Sequence, residues 1–378
     1  MAQAKADVQA EFAEALHRAG LRPKGIPIMD GRKHRVPVEG DRSGRKSGTY
    51  IGHLDERPAG YIHNFKTGEE IRWKSAREYP ALAPAERKRL KARIAAEQTT
   101  RESERSRREA RAAHKALAVW NHARSVESHP YLTRKGVAAH GLRQTRDGNL
   151  IVPMRDANGT LWGIQTIDAA GNKLFMRDAR KQGLQAAIGT PGPGEPVVIA
   201  EGFATAATLR EATGLAIIAA FDSGNLLDVA RAIREHDSDR PIIFAADNDH
   251  HLPTLATPLP NVGAVKAREA AAAVGGIVLS PPFASGDPGT DWNDYAAQHG
   301  KEAMRALAQV ELRSRGIELP SLAGSASSRE DAVTQSDRDA ARQRLRAGPR
   351  ALMKSAAHVA ARVTARQAAR QRQSRGLS

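Results

Sequence analysis

Two short apolar runs, each stopping at an acid, constrain this chain more than any other feature. Pro196, Val197, Val198, Ile199 and Ala200 lead into Glu201-Gly202, and Pro241, Ile242, Ile243, Phe244, Ala245 and Ala246 lead into Asp247-Asn248-Asp249. Around them strands and helices alternate. The pattern predicts a strand to 200, a helix over 203–212, a strand over 215–221 and a helix over 226–235 capped by Ser223 or Asn225. Next come a strand over 241–246, a helix over 262–274, a strand over 276–280 and a short helix after Asp291-Trp292-Asn293-Asp294-Tyr295. Alternation of this kind predicts a parallel sheet with flanking helices and right-handed crossovers. Ligands bind such a sheet at the carboxyl ends of its strands, which is where these acids stand.

The acids suggest a chemistry. Asp247 and Asp249 are two residues apart on extended backbone, so both carboxylates point to one side. Hard oxygen ligands of that sort suit Mg²⁺, with Mn²⁺ as a substitute. Glu201 joins them if the two strands are neighbours, and Asp291 and Asp294 offer further oxygens from a loop-to-helix junction. Acids at strand ends also cap helices, but three acidic clusters at successive strand ends of one sheet exceed what capping needs. The expectation is a divalent-metal centre for phosphoryl transfer. His250 and His251 open a proline-rich loop and read as solvated. The chain has no cysteine, so no disulfide and no zinc site is expected.

Charge is partitioned with the pattern. Residues 193–300 hold fourteen acids and six basic residues, a balance of −8, which leaves +24 on the rest of a chain of net charge +16. An acidic island in a basic chain suits an enzyme that grips a polyanion with its flanks and metal ions with its centre. No apolar run is long enough to span a bilayer and the first twenty or so residues lack a signal-peptide core, so a cytoplasmic protein is expected.

The flanks divide by composition. Residues 1–80 read as a helix followed by a small β-rich module, with Asp30-Gly31, Ser47-Gly48, Ala59-Gly60 and Thr67-Gly68 at its turns. Tyr50, Tyr61, Phe65 and Trp73 serve either as this module's core, the plainer expectation, or as a platform for bases. Gly44-Arg45-Lys46-Ser47 fails as a phosphate loop, because Arg45 intervenes between the glycine and the lysine. Residues 81–118 form a charged helical linker, and residues 119–190 a basic α+β subdomain with a hairpin over 149–167. Residues 193–300 are the catalytic domain. From 320 to 378 the chain becomes a basic low-complexity tail, disordered or conditionally helical, without an acid after Ala340.

Glu201-Gly202, Asp247-Asn248-Asp249 and Asp291-Trp292-Asn293-Asp294 resemble the motifs of the topoisomerase–primase (Toprim) domain, in the version carried by primases of conjugative plasmids and related mobile elements. The helix start Asn261-Val262-Gly263 with Lys266 resembles the same group. Upstream, Tyr131-Leu132 to Gly136, Leu150 to Arg155 and Lys173-Leu174-Phe175 are similar to the basic subdomain before Toprim in bacterial replicative primases. The resemblance spans residues 120–300.

It implies a Toprim-like parallel sheet, with Glu201 as general acid/base or metal ligand, Asp247 and Asp249 holding Mg²⁺, and Asp291 and Asp294 completing the cluster. Lys173, Arg177 and Lys266 would bind nucleotide or template. The implied activity is primase: nucleotidyl transfer from ribonucleoside triphosphates onto a primer 3′-hydroxyl on single-stranded DNA. The chain lacks the cysteine-rich module of replicative primases, so template recognition falls to another part, such as the β-rich module. It also shows no ATPase motif, so a helicase or relaxase would be a separate partner. A Toprim nuclease and a non-catalytic single-stranded DNA-binding protein are the alternatives.

Overall fold

The computed structural model describes residues 2–55, 57–77, 83–255, 258–284 and 286–322. The basic tail expected from residue 320 on therefore lies almost wholly outside the described residues.

The first layer is helix α1 (Ala2–Arg18) on a meander of β1 (Asp30–Val36), β2 (Gly48–His53), β3 (Ala59–Asn64) and β4 (Glu69–Lys74). All three pairings are antiparallel. Val8, Phe12, Ala15, Leu16 and Ala19 recur at helical spacing and are buried against Tyr50, Ile62 and Trp73. Glycine permits the close approach: a Cβ on Gly60 would lie 2.6 Å from the Phe12 ring, and one on Gly52 2.7 Å from Met29. Helix α2 (Pro84–His122) then runs unbroken for 39 residues. It starts with proline at its first position and with Glu86 accepting from the Ala83 N–H. Most of it is exposed; Ala112 and Ala116 are its buried residues, and Ala116 packs on Ile151, Leu161 and Ile164 of the next layer.

That layer is a five-stranded sheet in sequence order: β5 (Arg124–Ser125), β6 (Arg143–Gln144), β7 (Leu150–Arg155), β8 (Leu161–Ile167) and β9 (Lys173–Phe175). Helix α3 (Pro130–Lys135) lies between β5 and β6 in the chain and ends at Gly136 in the left-handed conformation. Trp120, at the end of α2, is covered by the guanidinium groups of Arg143 (4.5 Å) and Arg155 (5.7 Å).

The third sheet has the order β10-β12-β11-β13-β14. Its strands are β10 (Ala186–Ile188), β11 (Val197–Ala200), β12 (Ala216–Ala219), β13 (Ile242–Ala245) and β14 (Ile277–Leu279). β11, β12, β13 and β14 are parallel, as the alternation predicts, whereas β10 pairs antiparallel with β12. No strand is expected over 186–188 from the sequence, so this edge is new. Every residue of β11, β12 and β13 is buried, which is why they read as unbroken apolar runs.

Helices α4 (Phe203–Thr213), α7 (Trp292–His299) and α8 (Lys301–Arg313) contribute to the core on one face of the sheet, and α5 (Leu226–His236) and α6 (Val262–Val274) to that on the other. Leu132, Leu150, Val152 and Ile167 of the upstream layer share the first of these cores. The expected side-chain cap on α5 is absent. Asn225 instead donates to the carbonyls of Leu184 and Ala220 and accepts from the Gly183 N–H, fastening the approach to β10 onto the end of β12.

Candidate active site

Register decides which acids meet. Ala200 pairs with Ala219 on one side and with Ala245 on the other, so β11, β12 and β13 end level. The chain passes from β11 to β12 on one side and then crosses to β13 on the other, so the switch point lies beside β11. Glu201 follows β11, Asp222 follows β12 after a short turn, and Asp247 follows β13. Phe221, just before Asp222, holds φ +73°, a strained conformation for a bulky residue.

Glu201 and Asp247 face the first turn of α6. A Cβ on Gly263 would lie 2.8 Å from Glu201 Oε1 and 3.5 Å from Asp247 Cβ, so only glycine leaves the two carboxylates their place. Glu201 Oε1 and Asp247 Oδ1 are sealed from solvent and have no hydrogen-bonding partner among the described residues. Burial raises both pKa values, and repulsion raises them further: Asp222 and Asp249 act on Glu201, and Glu201, Asp291 and Asp249 on Asp247. Asp249 is also shifted up by burial, against the pull of His251 and His250.

The motif around Asp291 divides its labour. Asp291 caps α7, its Oδ1 accepting from the Asp294 N–H at 2.8 Å, and its charge acts on Glu201, Asp247 and Asp249. Trp292 is buried in the core. Asn293 donates to the Lys135 carbonyl and to Thr208 Oγ1, both at 2.8 Å, tying α3 to α4. Asp294 accepts from the Thr290 N–H and stands 3.6 Å from Lys135 Nζ. Asn248 plays a similar bracing part between the two aspartates. It donates to the Pro281 carbonyl from its side chain and to Thr290 from its backbone, and accepts from Asn261.

Of the basic residues expected here, Lys173 lies beside Gly202. Its ammonium is 3.7 Å from where a Gly202 side chain would begin. Loss of solvent and the charge of Lys135 lower its pKa, against the attraction of Asp291 and Asp247. Arg177 is exposed and lies 4.0 Å from Asp178, while Lys266 pairs with Glu269 at 2.8 Å on α6. Neither is drawn into the acidic cluster. Asp222 is the residue that sequence reasoning passed over: it pairs with Lys181 and is the foremost charge acting on Glu201. Its signal was present, since 215–221 is a third apolar run that stops at an acid.

Among the described residues no three histidine or carboxylate side chains converge closely enough to hold a metal ion. The fit to a cation rests instead on the orphaned oxygens. Two hard donors, buried side by side and repelling each other, form a donor set that a divalent cation would satisfy.

Residues 196–302 match the Toprim domain family model. Those residues form a Toprim domain. The chain is also 44% identical over 291 residues to a DNA primase TraC of Escherichia coli, covering 73% of this chain and 27% of that protein. A second Escherichia coli DNA primase TraC is 42% identical over 285 residues, covering 72% of this chain and 19% of the relative. The chain thus spans about a quarter of the one and a fifth of the other. Both aligned stretches are longer than the Toprim match, so the likeness extends beyond the parallel sheet. Among solved structures, the primase fragment of the bacteriophage T7 primase-helicase protein is 19% identical. It covers 50% of this chain and 77% of that chain, with a TM-score of 0.38.

Proposed function

We propose that this chain is a DNA primase, a nucleotidyltransferase that makes RNA primers on a single-stranded DNA template. The observation that carries the reading is the pair of orphaned carboxylate oxygens of Glu201 and Asp247 at the switch point, with the Lys173 ammonium facing them from another sheet. The sequence likeness to two DNA primases supports it.

Glu201 and Asp247 would supply the first oxygens for a divalent cation, Mg²⁺ or Mn²⁺, with Asp249 and Asp291 as the further acids beside them and Asp294 bracing the loop. Such a cation supplies charge neutralisation at the reacting phosphate. Lys173 binds the triphosphate or the template phosphate next to it, as a mobile point charge. As the alternative to ligation, Glu201 would hold or pass a proton at the primer 3′-hydroxyl. Asn248 and Asn293 position the loops that present the aspartates. The partners are single-stranded DNA and ribonucleoside triphosphates, with a separate helicase or relaxase delivering the strand.

The test is primer synthesis by the full chain on random-sequence single-stranded DNA, with labelled ribonucleotides and either metal. Template-dependent RNA that disappears in Glu201→Gln and Asp247→Asn is the expected result. A protein inert to nucleotides that cuts DNA in their absence is a Toprim nuclease, and this reading falls.

A further inference from the structure

The four-stranded sheet near the N-terminus has two faces, and the catalytic reading uses neither. Tyr50, Ile62 and Trp73 point to the core under α1. Register puts two rows on the opposite face: Lys33, Ile51, Tyr61 and Arg72, then Arg35, Thr49, His63 and Glu70. Phe65 follows directly after β3 and is 41% exposed, one of the few large apolar side chains of the sheet turned to solvent.

These side chains form a ladder of contacts. The Arg35 guanidinium lies 4.5 Å from the centre of the Phe65 ring, and the His63 ring 4.0 Å from it. The Tyr61 ring is 6.3 Å from that of His63, edge to face. Lys33, Arg35 and Arg72 are exposed around the ladder, and Glu70, 3.8 Å from His63, is the acid within the two rows. Arg35 donates to the Lys46 carbonyl, which holds its planar head in position over the ring.

We infer that this face binds single-stranded nucleic acid, with phosphates along Lys33, Arg35 and Arg72 and unpaired bases continuing the stack of Arg35, Phe65, His63 and Tyr61. Both halves of the chemistry are present. Exposed cations with one acid among them complement a polyanion, and a guanidinium held over Phe65, with the His63 and Tyr61 rings beside it, offers π-faces to bases of any sequence. A duplex hides its bases in the helix and gains only the phosphate contacts. A protein partner has little to bury here, since Phe65 is the only strongly exposed apolar group on the two rows and their flank among the described residues. The inference deepens the primase reading by naming where the strand is held, but its test does not depend on catalysis.

The experiment is photocrosslinking of the full chain to an iodouracil-substituted single-stranded oligonucleotide, with the modified peptides read by mass spectrometry. The wild type and Asp247→Asn should both crosslink within residues 59–74. Phe65→Ala and Arg35→Ala, both surface changes, should each lose that crosslink. The strand's dissociation constant should rise roughly five- to a hundred-fold on losing one stacking partner. Arg35→Ala should also flatten the slope of log affinity against log salt by about 0.7, for one phosphate contact on a single strand. Crosslinks confined to other segments overturn the inference, as does equal labelling of residues 59–74 by duplex DNA. If the face crosslinks but no primer is made, the primase reading fails and this one stands; primer synthesis without the crosslink decides the reverse.

Discussion

Glu201 and Asp247 follow neighbouring parallel strands whose last residues, Ala200 and Ala245, are paired, and each buries an oxygen with no hydrogen-bonding partner among the described residues. Two such carboxylates destabilise each other unless protons or a cation intervene. A divalent cation should therefore stabilise the fold. At a hundred times its dissociation constant the gain is about 2.7 kcal/mol, which corresponds to several degrees of melting temperature. Melts with Mg²⁺ or Mn²⁺ against chelator measure it. The shift should vanish in Glu201→Gln/Asp247→Asn, and an undiminished shift there would place the cation elsewhere.

The same pair makes the metal-free protein pH-sensitive in an unusual direction. Burial and mutual repulsion raise both pKa values above their unfolded values near 4. Over the range between, the folded chain keeps protons that the unfolded chain releases, so stability falls as pH rises. The stability lost is greatest once pH has passed both folded values. In chelator, Glu201→Gln and Asp247→Asn should melt higher than the wild type at about pH 8 and converge with it toward about pH 5. Variants that melt no higher at the alkaline end would show that the two carboxylates do not strain the fold.

Much of this site was legible because burial on both faces of a sheet writes itself as an unbroken apolar run, and an acid stands where the runs of β11 and β13 stop at their carboxyl ends. Adjacency of those two strands was not legible. It depends on the crossover over β11, which no local pattern encodes. Asp222 escaped because Phe221 extends its run beyond the true strand end through a left-handed turn. Asp294 and Asp291 look equivalent in sequence, yet one accepts from the Thr290 N–H beside Lys135 and the other faces the cluster, a difference set by helix capping geometry. The aromatic residues of the N-terminal module divide by strand parity: Tyr50 and Trp73 face α1, and Tyr61 faces away.

Gly263 offers a test of geometry without touching a charge. Alanine is favoured over glycine in a helix by up to about 1 kcal/mol, so Gly263→Ala should leave the fold intact. Its methyl would nevertheless press on Glu201 Oε1 from 2.8 Å. Primer synthesis should fall by at least about tenfold, the effect of roughly 1.4 kcal/mol on the barrier, with the metal-induced rise in melting temperature also reduced. Full activity in the alanine variant would mean that Glu201 has room to move and that its position is not critical.

Lys173 comes from β9, in a different sheet from the acids it faces. If it stabilises charge developing on the transferred phosphate, Lys173→Gln should lower kcat/KM for nucleotide addition by about a hundredfold or more, the usual cost of losing one such group. Lys173→Arg should restore only part of it, because a planar fork does not replace a compact ammonium. The steady-state rate with saturating template isolates this effect, and an unaltered rate in the glutamine variant would remove Lys173 from the chemistry.

Glu211, at the far end of α4 from the cluster, joins the upstream layer to the Toprim domain. Its Oε1 accepts from the Ala138 N–H and from His140 Nε2, both at 2.8 Å, and its Oε2 accepts from Lys301, which also donates to the Gly136 carbonyl at 2.7 Å. Burial pushes its pKa up, but the bonds from His140, Lys301 and Ala138 outweigh it and bring the value down to about 2. A depressed carboxyl contributes stability that is complete above the unfolded value near 4.3 and is lost as pH falls toward the folded one. Glu211→Gln should therefore cost about 1.5–3 kcal/mol near neutrality, the range for hydrogen bonds to a charged group. Urea titration should show a lower midpoint at unchanged slope, and the gap between variant and wild type should narrow steadily from about pH 4 down to about pH 2. A gap that stays constant through that range would assign the loss to packing. A narrowing gap would identify Glu211 as the charged clasp between the layer that carries Lys173 and the sheet that carries Glu201.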